Sequence, residues 1–220
     1  MPPQAAKPDR AGAEEMSLLR VIRWIAWGAI AVLGFVVVGA AAGWLVTDGP
    51  LGRGEAGRPA IGGPFSLTDH RERAVTERDF LGKPTAVFFG FAFCPDVCPT
   101  TLARMGGHID SLGADADRIN WLLISVDHER DTPRKMAEYM ALFDPRIVGL
   151  SGTERQVARA ARSFQVQYRR VPLEGGGYTM DHSASVFLLD ARGRFAGTLD
   201  YEERQDVALE KLRLLLERAG

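Results

Sequence analysis

Pro84-Thr85-Ala86-Val87-Phe88-Phe89-Gly90-Phe91-Ala92-Phe93-Cys94-Pro95-Asp96-Val97-Cys98-Pro99 is the stretch that decides the fold. Its first eight residues, Pro84 to Phe91, form a continuous apolar run of strand length, which predicts a strand buried on both faces. Pro99 suits the first turn of a helix, and Thr100 to Leu112 carries Leu102, Met105, Ile109 and Leu112 at helical spacing. Cys94 and Cys98, the only cysteines of the chain, therefore lie at a strand-to-helix junction, with Cys98 expected at the helix cap. The amides and dipole of a helix start favour an anion, so thiols there are expected to ionise easily, and the thiolate is both nucleophile and metal ligand. The C-x-x-x-C spacing is one residue longer than the C-x-x-C of thiol oxidoreductases. A disulfide across so small a loop would constrain the unfolded chain little, which argues against a purely structural staple.

Outward from this junction the pattern alternates. Gly63 to Asp69 reads as a short edge strand. Ile119 to Asp127 reads as a second buried strand, and Asp131-Thr132-Pro133 opens a helix bearing Met136, Tyr139, Met140 and Phe143. A short strand over Ile147 to Leu150 precedes a helix over Thr153 to Phe164, and the alternation implies a mainly parallel central sheet. Val166 to Val171 and Tyr178 to Met180 flank Glu174-Gly175-Gly176-Gly177 as a hairpin. Ser185 to Asp190 and Phe195 to Thr198 give a strand, turn and strand, and Gln205 to Arg218 gives a closing helix. The class is α/β, a thioredoxin-like fold with an inserted β-hairpin and the cysteine pair where that fold places its redox motif.

Toward the amino terminus, no charged residue occurs from Trp24 to Thr47. As a helix rising about 1.5 Å per residue, Ile25 to Val46 spans roughly 33 Å, close to the ~30 Å hydrocarbon core of a bilayer. Trp24, Trp27 and Trp44 fall where interfacial aromatics are expected, and Arg20 and Arg23 place the preceding tail in the cytoplasm. The alternative is a cleaved signal peptide with a small-residue site between Gly39 and Gly43, but the apolar stretch is longer than a signal core. Lipoprotein processing is excluded by the lack of a nearby cysteine, and Asp9, Glu14 and Glu15 argue against a mitochondrial transit peptide. The organisation expected is a cytoplasmic tail over 1–23, a transmembrane anchor over 24–47, a Gly- and Pro-rich linker over 48–60 and an exported domain over 61–220. A net charge of −1 with mixed signs leaves no basic stripe for nucleic acid.

Thiolates are soft ligands that select Cu(I), and an imidazole suits copper in either oxidation state, so a third ligand would decide the chemistry. His70 in a polar turn, His108 within a helix and His128 after the second buried strand read as structural or surface residues. His182 lies just before a buried strand, in a loop that this topology turns toward the cysteines, and Asp181 beside it is expected to orient the imidazole. Its alternative is a loop histidine bonded to backbone. Phe88, Phe89, Phe91 and Phe93 read as core and rim, Met180 as packing, and Asp96 as either a turn cap or a modulator of thiol charge. Arg169 and Arg170 are candidates for an acidic partner surface.

Three segments carry a resemblance: Phe91 to Thr100 with its cysteine pair, Ser125-Val126-Asp127-His128-Glu129-Arg130-Asp131-Thr132-Pro133, and Asp181-His182-Ser183. In this order they resemble the Sco/SenC family of membrane-anchored copper proteins. The resemblance implies that Cys94, Cys98 and His182 bind a copper ion, Cu(I) or Cu(II). It also implies a metallochaperone rather than a turnover enzyme, held in the bacterial inner membrane with its carboxy-terminal domain in the periplasm. Such a protein takes copper from a periplasmic chaperone and delivers it to, or reduces the thiols of, the binuclear copper site of cytochrome c oxidase subunit II. Where relatives usually have Pro or another residue after the aspartate of the second motif, this chain has His128. The competing reading is a thiol-disulfide oxidoreductase with Cys94 and Cys98 as its redox-active pair, for which no distal imidazole is required. A thiol peroxidase would want a hydroxyl residue three positions before its cysteine, where this chain has Phe91. Structural zinc would want four ligands where three are available.

Overall fold

The computed structural model describes residues 23–25, 27, 28, 30–39 and 61–218. The chain divides into two units, Met1–Pro59 and Ala60–Gly220. In the first unit the described residues are helical and expose large apolar side chains, among them Trp24, Phe35 and Val38. Among the described residues no helix is long and apolar enough to cross a membrane. Positions 26, 29 and 40–47 of the expected anchor, the linker 48–60 and the tail before Arg23 lie outside the described residues.

In chain order the second unit runs β1 (Ser66–Asp69), β2 (Ala74–Thr76), β3 (Thr85–Gly90), α1 (Val97–Leu112), β4 (Asn120–Ser125), α2 (Pro133–Met140), β5 (Ile147–Ser151) and α3 (Glu154–Ser163). Then follow β6 (Tyr168–Pro172), β7 (Tyr178–His182), β8 (Val186–Leu189), β9 (Phe195–Leu199) and α4 (Gln205–Glu217). Seven strands form one sheet in the order β2-β1-β5-β4-β3-β8-β9, and β6 and β7 form a separate two-stranded sheet. β3, the apolar run, is buried at every position and lies between β4 and β8. Burying each of its Phe and Val side chains contributes on the order of 1.5–3 kcal/mol.

The sheet is less parallel than the alternation implied. Only β3, β4 and β5 run parallel, because only they are joined by helical crossovers; β8 and β9 meet through a tight turn and pair antiparallel. β1 is not an edge strand: it lies between β5 and β2, and the three-residue β2, too short to show a period, takes the edge.

Local chemistry sets the helix starts. Thr132 caps α2 by accepting from the Lys135 N–H, with Pro133 in the first turn. Thr153 and Gln156 form a reciprocal capping box on α3. α1 begins at Val97, with Asp96 at the cap position making no side-chain cap bond. Pro99 remains in the first turn, where its missing N–H leaves nothing unpaired, and Cys98 sits inside that turn rather than at the cap.

Candidate metal centre

β3 ends at Gly90, and the reason for glycine there is spatial. A Cβ at this position would lie 2.8 Å from the Phe88 ring, 3.1 Å from Cys98 Sγ and 3.2 Å from Leu123 Cδ1. The missing side chain is thus the space into which Cys98 turns its sulfur. Cys98 is fully buried and Cys94 half-buried; both are free thiols. Cys94 Sγ accepts a hydrogen bond from the Cys98 N–H at 3.4 Å, the use of a helix-start amide that the junction predicts. Ionisation runs the other way from expectation at Cys98. Burial pushes its thiol far above the ordinary range, and a backbone hydrogen bond from Phe91 offsets only part of this. The buried sulfur is a thiol until something replaces its proton.

His182 is the last residue of β7 rather than part of a loop. Its Nε2 lies 3.5 Å from Cys98 Sγ, and its Nδ1 lies 2.9 Å from the Ser183 carbonyl oxygen. A carbonyl only accepts, so Nδ1–H donates and Nε2 presents its lone pair toward the sulfur. Phe88 and Phe91 flank the ring edge-on at 6.1 and 5.7 Å between centroids. Burial pulls the imidazole below its ordinary basicity, against the smaller upward effects of the Ser183 carbonyl and Asp181. The ring is therefore a neutral donor. Asp181 does not orient it: directly opposite Arg169 in the hairpin, Asp181 pairs with that guanidinium at 2.8 Å. Orientation comes from the Ser183 carbonyl.

The residues that hold these two halves lie on the loop after β4. Asp131, almost fully buried, accepts from the Ala92 N–H at 2.9 Å and from Ser125 Oγ at 2.6 Å, fixing the segment that leads into Cys94. Asp127 pairs with Arg130 at 2.5 Å and accepts from the Tyr178 hydroxyl at 2.9 Å. Arg130 donates to the Tyr178 carbonyl at 3.0 Å and stacks over the Tyr178 ring at 3.8 Å and the Phe93 ring at 4.7 Å. Glu129 holds Arg170, which covers the other side of Tyr178 at 3.7 Å. Arg169 and Arg170 are thus both committed within the chain. Sequence reading singled out the Ser125 to Pro133 segment as a motif but gave its charged residues no task; the signal was alternating acids and a base directly after a buried strand.

Other candidates fall away from this point. His70 Nδ1 accepts from the Gly149 N–H at 3.0 Å and joins β1 to β5. His108 is buried within α1, His128 is half-buried after β4, and Met180 packs partly buried against the core. Phe88, Phe89 and Phe91 are core, and Phe93 is the exposed rim.

Among the described residues no group of three His, Cys, Asp or Glu side chains is close enough to hold a metal ion as it stands. What the structure brings together is a pair, Cys98 and His182, with the Cys94 sulfur turned to the Cys98 amide. A sulfur and an imidazole nitrogen 3.5 Å apart are spaced as adjacent ligands of one ion, given metal–sulfur and metal–nitrogen bonds of about 2.3 and 2.0 Å. The donor set, two thiols and a neutral imidazole, is soft.

A family model described as SCO1/SenC matches residues 53–217. The human mitochondrial SCO1 homolog is 42% identical over 149 residues, which cover 66% of this chain and 48% of that protein. SenC of Rhodobacter capsulatus is 35% identical over 144 residues, covering 66% and 64%. The chain spans about half the length of the first curated relatives it matches. Among solved structures, Bradyrhizobium japonicum ScoI with copper bound is 43% identical, covers 73% of this chain and all of its own, and superposes with a TM-score of 0.67. Yeast Sco1 with copper bound is 33% identical, covers 72% of this chain and 90% of its own, and has a TM-score of 0.67. The cysteine junction, the buried strand order and these matches agree: the chain belongs to the SCO1/SenC family.

Proposed function

We propose that this protein binds one copper ion through Cys94, Cys98 and His182 and serves in cytochrome c oxidase assembly, delivering copper to the binuclear site of subunit II. The observation that carries the reading is the bare Nε2 of His182 held 3.5 Å from a buried thiol. The copper-bound relatives from Bradyrhizobium japonicum and yeast support the choice of metal. Uptake requires Cys94 and Cys98 each to lose a proton, while His182 offers its lone pair without losing one. The half-buried Cys94 is the ligand that an acceptor reaches first, so release proceeds by exchange at Cys94 before Cys98. Residues 24–47 anchor the chain in a bacterial inner membrane, with residues 61–220 in the periplasm, where a copper-donating chaperone loads it.

Titration of the full-length protein with Cu(I) and Cu(II), beside His182→Ala, tests the ligand set. A thiolate-to-Cu(II) absorption band that shifts in the variant is expected; identical affinity and spectrum would remove His182. Two free, neighbouring cysteines also support a second reading, reduction of the oxidised subunit II thiols. There the Cys94 thiolate attacks the client disulfide, Cys98 displaces the mixed disulfide, and two electrons and two protons pass to the client. Incubating the metal-free dithiol protein with an oxidised copper-site peptide separates the two, since delivery alone leaves the peptide disulfide intact.

A further inference from the structure

We propose that Arg130 and Tyr178 are positioning residues for His182, forming with Asp127 a latch that sets the Cys98–His182 spacing; this rests on His182 as a ligand. The β6–β7 hairpin that carries His182 shares no ladder with the seven-stranded sheet. An isolated two-stranded hairpin is marginal in water, so something outside its own ladder must hold it. Tyr178, the first residue of β7, is gripped at three points. Its hydroxyl donates to Asp127, its carbonyl accepts from Arg130, and its ring is sandwiched between the Arg130 and Arg170 guanidiniums.

Asp127 and Arg130 are themselves fixed. Arg130 is three-quarters buried and Asp127 almost wholly so, and Asp127 N–H donates to Ser125 Oγ, which donates to Asp131. Asp131 holds Ala92, two residues before Cys94. One loop therefore grips the cysteine segment with one carboxylate and the histidine hairpin with the other. The thiol and the imidazole are thereby both held from this one loop.

The test uses the full-length protein in detergent and two readouts. In the metal-free, reduced protein, the imidazole nitrogen resonances of His182 report its surroundings without copper. In the Cu(II)-loaded protein, nitrogen coupling in the paramagnetic spectrum and affinity report ligation. Arg130→Ala is expected to move the resonances toward those of an exposed imidazole, weaken copper binding about 10- to 100-fold and reduce the nitrogen coupling, the scale typical of residues that orient a ligand. Arg130→Lys is expected not to rescue, because a lysine cannot stack flat and donate to both Asp127 and the Tyr178 carbonyl. Tyr178→Phe, which keeps the ring sandwich, is expected to shift the same signals less, and it decides the matter should Arg130→Ala fail to fold. Wild-type His182 resonances in every one of these variants that folds would overturn the latch. If instead His182→Ala alone leaves the copper spectrum unchanged, the ligand assignment falls, and the metal-free resonances still judge the latch.

Discussion

The carboxylate of Asp131 holds the backbone N–H of Ala92 at 2.9 Å across 39 residues of sequence, so the loop after β4 fixes the loop after β3. Asp131→Ala leaves that amide and the Ser125 hydroxyl buried without an acceptor, an expected loss of roughly 2–4 kcal/mol in urea denaturation. Asp131→Asn keeps one acceptor oxygen and is expected to lose less. Burial pushes this carboxyl above its ordinary value, and its Oδ1 meets no donor. The folded state therefore takes the proton before the unfolded state does. Wild type should be strongest relative to Asp131→Asn in acid, losing that advantage as pH rises from the ordinary carboxylate value through the raised one. A pH-independent difference would show that the carboxyl does not titrate in this way.

Gly90→Ala places a methyl group against Phe88, Cys98 and Leu123, none of which is the free end of a long flexible chain. Overpacking of this kind costs about 1–3 kcal/mol. The variant should unfold at lower urea and carry a displaced Cys98, read as faster alkylation of the buried thiol. Unchanged alkylation would mean that Gly90 is not what admits the sulfur.

Copper affinity should depend on pH with a fixed sign. Because burial holds Cys98 as a thiol, Cu(I) must displace its proton, and affinity should rise by about one decade per pH unit for each thiol proton released. His182 is depressed below its ordinary value, so protonation of the ring should steepen the curve only below pH ~6.5. Competition against a chromophoric Cu(I) chelator from pH 5 to 8.5 measures both, and a flat profile would contradict displacement of a thiol proton.

Acid should destabilise the fold partly through His108. It is buried in α1 at 5% exposure, its Nδ1 meets no protein donor or acceptor, and burial, then the Arg104 charge, lower its basicity. Below about pH 6.5 the unfolded chain takes a proton that the folded chain refuses until lower pH, so stability falls as pH drops through that window. His108→Gln removes the titrating imidazole. The melting temperature of the variant should change less between pH 7.5 and 5.5 than that of wild type; equal changes would clear His108 of the effect.

The order of the helices and of every strand but β2 was legible because buried strands and amphipathic helices write their periods into the chain, and Cys94, Cys98 and His182 stood out by residue type and position. Parallel content was not, since nothing in Ser66 to Thr76 announces that β1 lies inside the sheet and β2 at its rim. The ionisation of Cys98 was misread because a helix start is a local feature, whereas the burial that overrides it comes from the packing of that helix start onto β3 and β4. Asp181 was misassigned for a related reason: hairpin register, not adjacency, decides that it faces Arg169. The grip of Arg130 on Tyr178 spans 48 residues and has no signature short of the folded structure.

The hairpin tip turns on three consecutive glycines, Gly175, Gly176 and Gly177, at φ of 91°, 98° and 82°, in the left-handed region glycine adopts freely. A candidate ligand carried on an arm outside the main sheet is portable. Lengthening or exchanging the tip between Leu173 and Gly177 alters the surface there, yet re-registers no strand of the seven-stranded sheet. The tip and the scaffold can therefore diversify separately within one architecture.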